Sequence, residues 1–444
     1  MNTVKIAEIF ADHMVMQQGI PIPVWGWAEK GEALIVAFSG QIKKTVADEN
    51  GFWMVKLDPM NTNFDPQSMI IKGDETLCVK DILVGEVWIC SGQSNMGYPM
   101  ERLERDIDIV PGLRLFHCQG LDGNQEQVNF AEGEWLPADK NHFEKIKNFS
   151  IIGFLYGKEL KEKLDVPIGV INISQAASIA ESWTPLACLK KMVDYSQVKQ
   201  AMEKIDTSGF NAPAYLYNNL VHPLIPFGIA GVLWYQGESS SIRSNRYAEL
   251  MATMINSWRN RWNQGAFAFI SVQLPNYDNT LDTPPCCSGS WQHMREAQLQ
   301  ILDLQNTALA VTIDIGESND LHPANKPEVA HRLALAALGS VYAQDIVYSG
   351  PIYKSMEIKD NAIHLNFDHI GSGLMAKEGK LQQFEIAGND KKFQLADAEI
   401  NDSQIIVSSK YIKSPTAVRY GWKNDPVGCN LYNKEGLPAS PFRT

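Results

Sequence analysis

Ser91-Gly92-Gln93-Ser94-Asn95-Met96 places two hydroxyls, a flexible backbone position and two amides at the end of the apolar run 84–90. A serine hydroxyl there can attack a carbonyl carbon if a neighbouring base takes its proton. Gly92 permits a sharp turn after the run, so Ser94 is the residue presented at the edge, whereas Ser91 still belongs to the strand. The pattern Gly92-x-Ser94-x-Met96 lacks the second glycine of the G-x-S-x-G elbow and does not match that hydrolase signature. Of the nine histidines, His322 is the candidate general base, because Asp320-Leu321-His322-Pro323 forms a polar loop just before a helical pattern. Asp320 is its candidate acid partner. His293, in Trp291-Gln292-His293-Met294-Arg295, is a second candidate base that more readily lines a pocket or caps a helix; Arg295 is a candidate substrate contact.

A tetrahedral oxyanion needs fixed donors. Backbone N–H groups at Ser94 and in 175–178, Ala177 among them, are candidates, with an amide side chain from Gln236 or Asn95. Glu238 either tunes His322 or anchors its own loop. The plainer alternatives are a structural turn serine at 94 and a loop histidine at 322 bonded to a nearby carbonyl.

These residues need a scaffold that brings distant loops to one edge. Between 83 and 345, apolar runs at 84–90, 113–118, 167–173, 229–235, 267–273 and 308–313 alternate with helical patterns. Continuous apolar runs suit strands covered on both faces. In 247–262, Tyr247, Leu250, Met251, Met254, Ile255, Trp258 and Trp262 recur at helical spacing, and 328–342 behaves alike. Such alternation predicts an α/β domain with a mainly parallel sheet. Ligands of such sheets sit beyond the carboxyl ends of the strands. The loops there are 91–95, 174–178, 236–241 and 314–322, so they are expected to converge. Residues 1–82 read as an N-terminal β-sandwich-like module, with strands at 22–27, 33–38, 52–57 and 69–71. Residues 346–444 read as a C-terminal β region, with strands at 352–358, 362–367, 383–387, 405–407 and 417–421.

The 444 residues suffice for about three domains of ~150 residues. A formal charge of −12 without any basic cluster disfavours nucleic acid and anionic membranes as partners. No apolar run of about 20 residues is present, so no membrane insertion is expected. Seven scattered cysteines without a C-x-x-C pair argue against a disulfide framework or a zinc site, and Cys286-Cys287 reads as a loop pair. No metal and no cofactor is expected. Trp135, Trp183 and Trp291 are the candidate platforms for a sugar ring.

Taken together, Gly92-Gln93-Ser94-Asn95-Met96, Trp234-Tyr235-Gln236-Gly237-Glu238-Ser239 and His322-Pro323 with Lys326 resemble the sialate O-acetylesterase family, a multidomain branch of the SGNH hydrolases. Pro23-Val24-Trp25-Gly26-Trp27, Tyr217-Asn218 with His222-Pro223-Leu224, and Gly436-Leu437-Pro438 extend the likeness over nearly the whole chain. The resemblance implies a flavodoxin-like SGNH domain and removal of acetyl esters from sugars through an acetyl-serine intermediate on Ser94, with His322 as base. It implies an acetylated sugar or glycan as partner and a secreted or periplasmic mature chain, a cytoplasmic location staying open. Alternatives are a catalytically impaired carbohydrate-binding relative and an esterase acting on xylan, xyloglucan or pectin. Two departures stand out. Ala176 and Ala177 occupy the place of the family's paired glycines, and Asn319 stands where SGNH enzymes carry the acid three residues before the histidine. A positive φ at either alanine would be strained, which predicts a displaced or absent oxyanion donor.

Overall fold

From Thr76 to Asp81 the side chains alternate between more and less exposed, whereas every residue from Ile82 to Gly92 is buried. Both halves belong to one strand, β1 (Thr76–Gly92), and the change in burial marks where it passes from a half-covered sheet into one covered on both faces. The computed structural model describes residues 4–102, 109–192, 196, 209–278, 287 and 289–444. It divides into two compact units, Met1–Trp234 with Ala252–Phe269, and Tyr235–Met251 with Ile270–Thr444.

In the first unit, the early half of β1 pairs antiparallel with Asn63–Lys72, which pairs antiparallel with Ala33–Phe38; that strand in turn pairs with Gln41–Val46. Lys5–Ile6, Ile22–Trp27 and Phe52–Leu57 form a second, three-stranded antiparallel sheet. The N-terminal strands anticipated from the sequence are thus present. The boundary expected after residue 82, however, falls inside β1.

The later half of β1 sits in the order β3-β2-β4-β1-β5-β6. These strands are β2 (Leu113–Gln119), β3 (Glu132–Pro137), β4 (Ile168–Asn172), β5 (Gly231–Tyr235) and β6 (Ala268–Val272). β4 runs parallel to both β1 and β2, and the edge strand β3 runs antiparallel to β2. β3 was not anticipated. Its sequence, Glu132-Gly133-Glu134-Trp135-Leu136-Pro137, has one apolar cluster and a terminal proline that only an edge strand tolerates. Helix α1 (Ile151–Leu164) covers β1, β2 and β4 through Gly153 and Gly157. A Cβ at Gly157 would lie 2.7 Å from Leu113 and 3.0 Å from Val170, so the helix could not approach so closely with larger residues.

In the second unit β6 pairs with β7 (Thr307–Ala310). Two helices accompany it, α3 (Trp291–Leu299) and α4 (Lys326–Ser340), while α2 (Ser244–Trp262) starts in this unit and ends in the first. The C-terminal strands form two four-stranded sheets around Ile363, Leu365, Ile386, Ile405, Val407 and Val418, all fully buried. The architecture is therefore mixed α/β with additional β regions. Among the described residues no helix is long and apolar enough to cross a membrane.

Candidate active site

β1 ends at Gly92, whose φ of 126° lies in territory that only glycine enters without strain. The chain then closes a turn in which the N–H groups of Met96 and Gly97 both donate to the Gln93 carbonyl, at 2.9 and 3.1 Å. Ser94 is the half-exposed residue of this turn, between buried Gln93 and buried Asn95. The turn is fastened to the start of α1: Ser150 Oγ donates to the Met96 carbonyl at 2.5 Å while accepting the Gly153 N–H as helix cap at 3.0 Å. Backbone bonds from Met100 to Phe149 and from Ile151 to Tyr98 continue the seam.

The loop after β4 packs on the same turn. The Gly92 carbonyl accepts the Gln175 N–H at 3.0 Å and the Ser178 hydroxyl at 3.3 Å. Ser178 Oγ in turn accepts from the Trp183 indole N–H at 3.0 Å. A Cβ on Gly97 would meet Ser174 Oγ at 2.6 Å, so the two loops touch closely. Within this loop Ala177 has φ 56° while Ala176 keeps a negative φ. Ala177 thus adopts the left-handed conformation, strain included. For a residue with a Cβ that conformation costs about 1–2 kcal/mol.

In the second unit, Gln236 lies at the end of β5, fully buried. Its Oε1 accepts from the Tyr247 hydroxyl at 2.9 Å and its Nε2 donates to Ser240 Oγ at 3.0 Å. Tyr247 and Gln298 also donate to its carbonyl. Both ends of the side-chain amide are thus held, and the main-chain carbonyl beside it as well. Glu238, two residues on, is fully buried.

His322 is half-exposed and Asp320 exposed. Asp320 Oδ1 accepts the main-chain N–H of His322 at 2.7 Å, and Glu317 Oε1 accepts that of Ala324 at 3.1 Å. Carboxylates at both ends of the loop therefore shape its backbone. Its start is held by Asp314, which takes two bonds from buried Arg332, at 2.6 and 2.8 Å, and one from the Tyr432 hydroxyl at 3.0 Å. Its end is held by Lys326, almost wholly buried, whose Nζ donates to the Pro323 carbonyl at 2.5 Å. Burial pulls the Lys326 ammonium down to about 8, against the pull of Glu238, Asp320 and Glu317, which favour its charged form. The influence of Glu238 on Lys326 couples two loops distant in sequence.

Other expectations change. Arg295 is fully buried and its guanidinium donates to four main-chain carbonyls, of Leu274, Pro275, Lys423 and Asn424, at 2.6–2.8 Å. It is a tie between two loops, not a group offered to substrate. Trp135, Trp183 and Trp291 are all 0% exposed, so none can stack on a sugar. Their indole N–H groups donate to Ile9 O, Ser178 Oγ and Cys287 O. His293 Nδ1 pairs with Ser290 Oγ at 2.5 Å beside the first turn of α3. Cys286 lies outside the described residues, and Cys287 is buried.

Ser94 thus lies half-exposed at a strand-end turn of the first unit, and His322 half-exposed in a carboxylate-braced loop of the second. The family model for "carbohydrate esterase, sialic acid-specific acetylesterase" matches residues 84–339. The chain belongs to that family. Sialate O-acetylesterase of Homo sapiens is 27% identical over 99% of this chain and 92% of its own length, and that of Mus musculus 25% identical over 99% and 94%. A carbohydrate acetylesterase from Xanthomonas citri, known from its crystal structure, is 35% identical, with a TM-score of 0.88 over 100% of this chain and 99% of that one. This carbohydrate esterase is thus matched by relatives along its whole described length, the terminal β regions included.

Two consequences of the geometry can be measured. Ala177→Gly removes ~1–2 kcal/mol of backbone strain against ~0.5–1 kcal/mol of added unfolded-chain entropy. The urea midpoint should therefore rise slightly; a lowered midpoint contradicts the strain. For Lys326 the folded group loses its proton near pH 8 while the unfolded one holds it to about 10.5. Stability relative to Lys326→Met should then increase as pH climbs from 8 to 10, by up to ~1.4 kcal/mol per pH unit. Thermal melts across that range, flat for both proteins, would contradict it.

Proposed function

We propose that this carbohydrate esterase releases acetate from O-acetylated sugars with Ser94 as nucleophile and His322 as general base. The observation that carries the assignment is the strand-end turn at Gly92, which leaves Ser94 half-exposed while its neighbours are buried. The Ser94 proton passes to His322 as Oγ bonds to the acetyl carbon. The tetrahedral oxyanion is stabilised by backbone N–H groups at Ser94 and Ala177 and by an amide of Gln236 or Asn95. The carbon–oxygen bond to the sugar then breaks, and the sugar oxygen leaves with the proton from His322. Water next gives a proton to His322 and attacks the acetyl-serine, and acetate departs as Ser94 recovers its hydrogen. Such a scheme suits a flavodoxin-like SGNH domain spanning 83–345, with the β regions 1–82 and 346–444 as its flanks.

Asp320 is exposed and its bond to His322 goes to the main chain, which favours a Ser–His dyad over a triad. Glu238 then serves with Lys326 as an anchor for the two loops and not as a substrate contact. The mammalian relatives act, by their names, on sialate O-acetyl esters, and the bacterial relative on carbohydrate acetyl esters. We assign this chain the sialate-type reaction, with acetylated plant polysaccharides as the second reading.

An acetate-release assay over 9-O-acetylsialate, acetylated xylan and acetylated pectin tests the proposal. Ser94→Ala should lose all turnover with an unchanged circular dichroism spectrum; undiminished turnover excludes it as nucleophile. Asp320→Asn should lower kcat less than tenfold if the dyad operates. A loss of several orders of magnitude would restore the triad.

A further inference from the structure

Ala177 is exposed, so nothing its methyl group packs against can hold it in the left-handed region. What holds it is main-chain hydrogen bonding on two sides. Toward β1, Gln175 N–H and Ser178 Oγ donate to the Gly92 carbonyl. On the other side stands a single side chain. Asn211 Nδ2 donates to the Ala177 carbonyl at 3.1 Å, and Asn211 Oδ1 accepts the Ile179 N–H at 3.0 Å. One amide thus closes across 177–179 with both its ends, gripping the strained residue directly.

Asn211 is itself well fixed. It ends the short 3-10 turn Gly209–Asn211, closed by the Ala212 N–H donating to the Gly209 carbonyl at 3.0 Å. Ser182 Oγ donates to the Phe210 carbonyl at 2.5 Å and accepts the Leu216 N–H at 3.1 Å. The Ala214 N–H donates to the Glu181 carbonyl at 3.1 Å. The segment on both sides of Asn211 is therefore pinned to Ala180–Trp183, the helix that follows the strained loop.

We infer that Asn211 is a positioning residue for acetyl transfer: its amide locks the Ala176-Ala177 turn in the conformation that aims the Ala177 N–H at the oxyanion. This rests on the assignment of Ser94 and the Ala177 loop to the active site. A glycine enters the left-handed region unaided; an alanine there needs an outside clamp, and Asn211 supplies it. Asparagine is required because one end must donate and the other accept. Aspartate would keep the bond from Ile179 but lose the one to the Ala177 carbonyl.

The test compares wild type, Asn211→Ala, Ala177→Gly and the double variant, with Ser94→Ala as control. It measures kcat and KM on p-nitrophenyl acetate and the melting temperature of each. Asn211→Ala should lower kcat at least about tenfold, within the ~10²–10³ range for loss of one oxyanion donor, with KM changed less than about threefold. Adding Ala177→Gly should recover a large part of that kcat, because glycine reaches the left-handed turn without the clamp. A purely structural asparagine would not show this rescue. Should Asn211→Ala fail to fold, Asn211→Asp carries the same comparison. An inactive Ser94→Ala beside an Asn211→Ala kcat within twofold of wild type overturns the role of Asn211 alone. A kcat loss that Ala177→Gly leaves untouched does the same. Turnover surviving in Ser94→Ala overturns the active-site assignment and this inference together.

Discussion

The Gly92 carbonyl is the point on which the order of the loops around Ser94 depends. It terminates the strand that delivers Ser94, and it accepts hydrogen bonds from both Gln175 and Ser178 of the loop after β4. Two loops more than eighty residues apart in sequence are therefore registered against one oxygen atom. A carbonyl with two lone pairs can do this without any side chain of its own. The glycine beneath it is needed because φ 126° is closed to other residues. The turn after it can then be short enough to leave Ser94 half-exposed between two buried neighbours.

The second unit solves a different problem by different means. The backbone of the His322 loop is shaped by charge: Glu317 and Asp320 accept main-chain N–H groups, and Arg332 with Tyr432 fixes Asp314 at the start. Lys326 closes the loop from below beside Glu238. Glu238 favours the charged form of Lys326, so the loop after β5 and the loop before α4 are coupled electrostatically. Arg295 does comparable work with carbonyls alone, joining 274–275 to 423–424 without any carboxylate.

Much of this was legible in the chain. Continuous apolar runs announced β1, β2, β4, β5 and β6 within a few residues, because burial on both faces leaves an unambiguous pattern. The helical spacing in 247–262 likewise found α2. Ser94 and His322 stood out because a strand end and a helix start frame them. What stayed hidden depends on contacts between residues distant in sequence. Asn211 reaches Ala177 from 34 positions away, and nothing in Gly209-Phe210-Asn211 signals a clamp. Buried tryptophans and Arg295 were read as pocket residues because residue type alone cannot tell an interior tie from an exposed contact. That Ala177 adopts a left-handed φ, and that Asn211 bonds on both sides of it, are visible only in the folded chain.

β1 has one further implication. Seventeen residues form this one strand, its first half laced into the N-terminal sheet and its last residue bearing the oxygen that organises the Ser94 turn. Asp81, with φ 53°, marks an irregularity between the two halves, where the pairing register shifts. The N-terminal region is consequently less an attachable cassette than the far end of the same strand. Removing or exchanging it would strip the pairing partners from the strand that ends at the Ser94 turn, however remote it looks on paper.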